Sequence, residues 1–77
     1  MVSACILIRT ERGRFQEVSK RLAQVKGVKR AFTVLGRFDI VVEVEAPTAK
    51  QLGDAILRTN RMAGIVFTES LTEIERS

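Results

Sequence analysis

The chain has 77 residues, of which 45% are hydrophobic, and a formal net charge of +4. This length allows one domain, taken here as residues 1–77, and the hydrophobic fraction excludes a disordered chain. With one cysteine and no histidine, the chain cannot form an internal disulfide and lacks the soft ligands of a zinc or copper site.

The first half of the chain shows strand, helix and strand signals in turn. An apolar run at residues 4–8 predicts a buried strand. Four apolar residues then recur at the spacing of one helix face, and Gly27 lies where a helix end requires a positive φ. These four are Phe15, Val18, Leu22 and Val25. Thr10 and Gly13 are both candidates for the N-cap of this helix, and residues 28–35 predict a second strand.

The second half repeats the same signals after a turn at residues 36–39. Residues 39–45 predict a third strand, because apolar side chains alternate there with Glu43 and Glu45. A capping box of Thr48 and Gln51 then predicts the start of a second helix. We expect its buried face to contain Ala49, Leu52 and Ile56. Gly64 is its predicted C-cap, and residues 65–74 predict the last strand.

The order β-α-β-β-α-β predicts an α+β, ferredoxin-like fold, with an antiparallel four-stranded sheet and both helices on one face. Right-handed crossovers place the first and third strands in the centre. The other face of the sheet would then expose Ala, Cys, Leu, Val and Phe positions without a helix to cover them. An apolar patch of this kind predicts pairing with another chain through that face.

The turn at residues 36–39 holds the most informative polar residue. Asp39 is the only Asp outside the predicted helices, and Gly36 allows backbone N–H groups to approach a ligand. A carboxylate beside such donors can form a small polar site. Both residue types also favour turns, so a purely structural role for Gly36 and Asp39 remains open.

Signatures of catalysis are weak. No histidine is present to act as a general base, and Cys5 has no base beside it in sequence, so we interpret it as a small buried apolar residue. Strand alternation alone explains why Asp39 and Glu43 share a face. No phosphate loop, nucleotide motif or metal motif is present. We therefore predict that the protein is not an enzyme and needs no cofactor or metal.

Charge and hydropathy indicate whether the chain binds nucleic acid or a membrane. The basic residues are scattered and no aromatic RNA-binding motif is present, so a solvated surface is favoured over a nucleic-acid face. Because no helix-turn-helix is present either, we expect no direct specific DNA binding. No apolar run reaches membrane-spanning length and no signal peptide precedes the first strand, so we expect no membrane association. One free cysteine without an export signal predicts a cytoplasmic location.

Three segments occur together in one order and spacing: Gly27-Val28, the Gly36-Arg37-Phe38-Asp39 turn before Ile40-Val41-Val42, and Gly64-Ile65 before Thr68-Glu69-Ser70. With these segments, residues 2–75 resemble the effector-binding (RAM) domain of the Lrp/AsnC family of transcriptional regulators. The family pattern is a Gly-x-x-Asp turn, then a Gly-Val start to the last strand followed by spaced Thr residues.

The resemblance implies dimers paired through their sheets, joined into rings such as octamers or decamers. It also implies that a small effector, usually an amino acid, binds between dimers near the turn. The positions assigned to the ligand are Gly36, Arg37, Phe38, Asp39, Thr68 and Ser70. Asp39 can accept a hydrogen bond from an α-ammonium group, while turn N–H groups can hold an α-carboxylate. Arg37 and Phe38 depart from the family pattern, and Arg37 either favours an acidic effector or points to solvent.

Regulators of this family carry a helix-turn-helix domain before the module, whereas this sequence begins at the module. We therefore expect a stand-alone RAM protein without its own DNA-binding domain, which acts alone or joins full-length Lrp/AsnC relatives. The leading interpretation is an oligomeric regulatory module that senses an amino acid. The alternatives are a dimeric αβ-barrel enzyme of ferredoxin-like topology, an ACT-type regulatory domain and an RNA-binding module.

Overall fold

The computed structural model describes residues 1–72 and contains the six elements in the predicted order. They are β1 (Val2–Thr10), α1 (Phe15–Leu22), β2 (Val28–Thr33), β3 (Ile40–Ala46), α2 (Ala49–Asn60) and β4 (Ile65–Thr72). The four strands form one antiparallel sheet in the order β2-β3-β1-β4. The prediction of an α+β, ferredoxin-like fold with the first and third strands in the centre is therefore confirmed. Residues 73 and 74 of the predicted last strand lie outside the described residues.

The hydrophobic core lies between the sheet and the two helices. Every second residue of β1 and β3 faces the helices, because successive side chains of a strand point to opposite faces. These residues are Ala4, Ile6, Ile8, Ile40, Val42, Val44 and Ala46, and they pack against Val18 and Leu22 of α1 and Leu52 of α2. The two central strands therefore supply seven of the core residues.

The first helix begins later and ends earlier than its sequence pattern predicts. Its N-cap is Arg14, which makes no side-chain capping bond, so the predictions of Thr10 and Gly13 were wrong. Thr10 instead ends β1, where sheet pairing fixes its backbone. Val25 lies in the turn after the helix and is half-buried, while Phe15 is 39% exposed.

The second helix begins as its capping box predicts. The Thr48 hydroxyl oxygen accepts a hydrogen bond from the Gln51 N–H at 3.2 Å. Ala49 is exposed, however, so the prediction that it is buried was wrong. Ala55 and Thr59 are buried instead, and the Thr59 hydroxyl donates to the Ala55 carbonyl at 3.0 Å. This bond satisfies a polar group inside the core.

The second face of the sheet carries no helix, and we call it the open face. Its residues follow from the register, since residues directly opposite each other in a ladder share a face. Cys5 lies between Glu43 and Leu71, and Leu7 lies between Val41 and Glu69. The apolar side chains of the open face are Cys5, Leu7, Phe32, Val41, Phe67 and Leu71. The predicted Cys, Leu, Val and Phe positions are thus confirmed, whereas Ala4 faces the helices and is buried.

The turn after α1 requires a glycine for both backbone and packing reasons. Gly27 has φ +97°, and a Cβ placed there would lie 2.9 Å from the Ala55 Cβ. Gly13 has φ +81°, but a Cβ there would meet nothing within 4 Å.

We expect Gly13→Ala to lower the free energy of unfolding by about 1 kcal/mol through backbone strain, and Gly27→Ala by a further 1–3 kcal/mol or so through overpacking. Urea denaturation of both variants measures the difference, and equal losses would contradict the packing contribution.

Candidate functional site

Asp39 joins the start of β3 to the end of β1. Its carboxylate Oδ2 accepts hydrogen bonds from the Thr10 N–H at 2.9 Å and the Thr10 hydroxyl at 3.3 Å. Its backbone N–H donates to the Ile8 carbonyl at 2.8 Å, and its carbonyl accepts from the Val34 N–H at 2.9 Å. Thr10 is only 8% exposed, so the carboxylate also satisfies a buried donor. Asp39 therefore has a structural function in the isolated chain.

Arg9 holds the turn against the open face. Its Nε and Nη2 donate to the Arg37 carbonyl at 3.1 and 3.0 Å. The same guanidinium lies 5.9 Å from the centre of the Phe38 ring, and Phe38 stacks on Phe67 with 6.2 Å between ring centres. Cation–π and offset ring contacts of this kind each contribute about 0.5–1.5 kcal/mol. Two consecutive residues at the end of β1, Arg9 and Thr10, therefore both hold the turn in place.

The structure brings together four of the six predicted ligand-contacting residues. Gly36 and Arg37 are exposed at the tip of the turn, while Phe38 and Asp39 are half-buried at its base. Gly36 has φ +133°, a region that favours glycine. The other two residues, Thr68 and Ser70, lie on β4 opposite Ile8 and Ile6. Because β3 and β4 flank β1, the backbones at Ile40, which follows the turn, and at Thr68 are about 10 Å apart in one chain.

A surface pocket of about 240 Å³ has Asp39 among its lining residues. Apolar side chains form most of its wall, and the lining residues are Phe15, Thr33, Val34, Leu35 and Asp39. This combination of an apolar wall and one fixed anion suits a small ligand with a positive group and an apolar side chain. Leu35 is fully exposed at the rim. Two further pockets lie elsewhere: one of about 380 Å³ on the open face near Cys5 and Glu43, and one of about 280 Å³ beside α2.

Two further properties of the part of the chain that the structure describes concern metal sites and membrane-spanning helices. Within residues 1–72, no group of three or more carboxylate or thiol side chains is arranged to hold a metal ion. Among the same residues, no helix is long and apolar enough to cross a membrane.

Sequence reasoning missed three residues that support the turn: Arg9, Thr10 and Phe67. Arg9 and Thr10 are polar residues at the end of an apolar strand, and this is the only sequence signal that they carry. Their partners lie 28 and 29 residues away, so the register of β1 with β3 was needed to find them. Phe67 and Phe38 are also far apart in sequence. They come into contact only because the sheet places β3 and β4 on either side of β1.

The match to a family model decides which family this fold and turn belong to. The model described as the Lrp/AsnC ligand binding domain matches residues 3–76. The chain belongs to this family. A comparison of this chain with curated proteins finds no match.

Solved structures agree with this membership. A hypothetical protein, PHS023 from Pyrococcus horikoshii, is 35% identical with a TM-score of 0.89, and the match covers 99% of this chain and 93% of that one. The structure of FFRP-DM1 is 36% identical with a TM-score of 0.88, and the match covers 96% of this chain and all of that one. AsnC from E. coli is 18% identical with a TM-score of 0.84, and the match covers 97% of this chain but 52% of AsnC. The likeness to AsnC shows a shared fold.

Proposed function

We propose that this Lrp/AsnC ligand-binding domain is a non-enzymatic regulatory module that binds an amino acid at the 36–39 turn. The observation that supports this most is that Asp39, a residue of the fixed turn, also lines the 240 Å³ pocket. Arg9 and Thr10 already hold the turn, so its groups are ordered before a ligand arrives. Preorganised groups lose less entropy on binding, which favours affinity for a small ligand.

An amino acid matches the groups at the turn. Its α-ammonium group can donate to the Asp39 carboxylate, and its α-carboxylate can accept from backbone N–H groups near Gly36 or from Arg37. The apolar wall beside Asp39 then receives the side chain of the ligand. The pocket is smaller than the sites that hold drug-sized molecules, which start at about 300 Å³, so a small metabolite is the appropriate size class.

Assembly completes the proposed site. The open face exposes Phe67 and Leu71 to about half of their surface, and we propose that two protomers cover it by pairing sheet to sheet. Thr68 and Ser70 lie across β1 from the turn, so we expect them to contact the ligand from a neighbouring protomer in a ring such as an octamer or decamer. Full-length Lrp/AsnC relatives are proposed as further partners in transcriptional regulation.

Native mass spectrometry with each of the common amino acids tests this function. We expect one or a few amino acids to add their mass to an oligomer, with at most one ligand per protomer, and to shift the distribution of oligomer sizes. A matched series of the corresponding decarboxylated amines is the control, because these amines keep the ammonium group but lack the α-carboxylate. Equal binding of acids and amines, or no binding by any of them, would contradict the proposal.

A further inference from the structure

The positive charge of this chain is concentrated in its helices and their flanking turns. We call residues 11–27 and 47–64 the helix layer; they contain eight Lys and Arg residues but only three acidic residues. The other described residues, which form the sheet and the β2–β3 connection, contain four basic and four acidic residues. The helix layer therefore has a net charge of +5, while the remaining described residues are neutral. The apparent scatter of basic residues along the sequence becomes a one-sided distribution in the fold.

Two of the arginines of the helix layer form ion pairs. Arg14 pairs with Glu11 at 3.2 Å and with Glu17 at 3.1 Å, and Arg21 pairs with Glu17 at 3.4 Å. The hydrogen bond from Arg14 lowers the pKa of Glu17 and raises that of Arg14, so both groups stay charged at neutral pH. Within residues 1–72, the exposed cations of the helix layer that form no ion pair are Arg12, Lys20, Lys26, Lys50, Arg58 and Arg61.

Contacts between the helices and turns bring some of these cations together. Arg21 of α1 donates to the Ala63 carbonyl at 3.2 Å, next to the turn that carries Arg61. Arg58 of α2 donates to the Lys26 carbonyl at 3.1 Å, in the turn that follows α1. The helices cover the face of the sheet opposite to the open face, so pairing through the open face leaves this surface accessible to solvent.

From this arrangement we infer that the helix layer binds the phosphate backbone of duplex DNA without reading its sequence. Exposed Lys and Arg side chains on one surface complement the regular negative charge of a duplex. The large exposed apolar side chains of the helix layer are only Phe15 and Leu57, which is little for insertion into a lipid surface. No residue of the layer offers an aromatic platform for unstacked bases beyond Phe15. This inference goes beyond the proposed effector site and does not depend on it.

Fluorescence anisotropy with a short duplex of arbitrary sequence tests the inference. About three phosphate contacts per protomer predict a slope of about −2.7 for log affinity against log salt, and therefore a loss of roughly 40-fold between about 50 and 200 mM salt. We expect Lys20→Glu to lower the affinity about tenfold, because it replaces an attraction with a repulsion at an exposed position of α1. A second duplex with a scrambled sequence should bind equally well.

The control is Lys29→Glu, which makes the same charge change on β2, outside the helix layer. We expect it to lower the affinity less than threefold, and light scattering shows whether either variant changes the oligomer. Equal losses for the two variants would show that net charge alone attracts DNA and would overturn the assignment to the helix layer. No binding at low salt, or tighter binding to vesicles of anionic lipid than to the duplex, would also overturn it.

Discussion

Asp39→Ala is expected to weaken amino-acid binding and lower thermal stability together, whereas Asp39→Asn should weaken binding alone. The alanine variant leaves the Thr10 N–H without its partner in a place that is 8% exposed, which costs about 1–3 kcal/mol of unfolding free energy. For a domain of this size, each kcal/mol lowers Tm by about 4–8 °C. The asparagine variant keeps an oxygen that can accept from Thr10, so its Tm should remain close to that of the wild type.

Both variants remove the carboxylate that we propose as the partner of the ligand ammonium group. Loss of a charge-assisted hydrogen bond costs about 1.5–3 kcal/mol, or roughly ten- to hundredfold in affinity. Calorimetric titration with the amino acid that wild type binds, combined with thermal melts, separates the two functions of Asp39. Asp54→Asn, an equal charge change at an exposed position of α2, is the matched control and should alter neither quantity. Normal affinity in Asp39→Asn would show that Asp39 has a structural function only.

Leu7→Lys is expected to convert the oligomer into smaller species. Leu7 lies in β1 between Val41 and Glu69, at the centre of the open face. Burial of a leucine side chain contributes about 1.5–3 kcal/mol, and a two-fold interface contains the residue twice. Replacement by lysine should therefore weaken pairing by about 3–6 kcal/mol, a factor on the order of a hundred to ten thousand.

Sedimentation equilibrium at micromolar concentration measures this effect against a protomer mass of 8.6 kDa. Leu57→Lys is the matched control, because Leu57 is a 53% exposed leucine on α2, away from the open face. We expect the control to sediment like the wild type, and circular dichroism should show that both variants are folded. A wild-type protein that sediments as a single 8.6 kDa species would contradict pairing through the open face.

The sequence by itself determined the elements of this domain and their order. Helical and alternating apolar spacings are local properties, and glycines at positive φ mark turns at Gly27, Gly36 and Gly64. The β-α-β-β-α-β order then left few possible topologies, so the central position of β1 and β3 followed. The helix ends were less predictable. Ala49 continues the apolar pattern of α2 but is exposed, and Val25 continues that of α1 after the helix has ended.

Only the tertiary structure decided how the turn is held and where the charge lies. The bonds from Arg9 to Arg37 and from Thr10 to Asp39 depend on the register of strands that are almost 30 residues apart in sequence. Register in turn depends on which side chains fit together in the core, and no local pattern records that. The same packing turned scattered Lys and Arg residues into a positive helix layer above a neutral sheet, because both helices dock on one face while the acidic residues of β3 face the other.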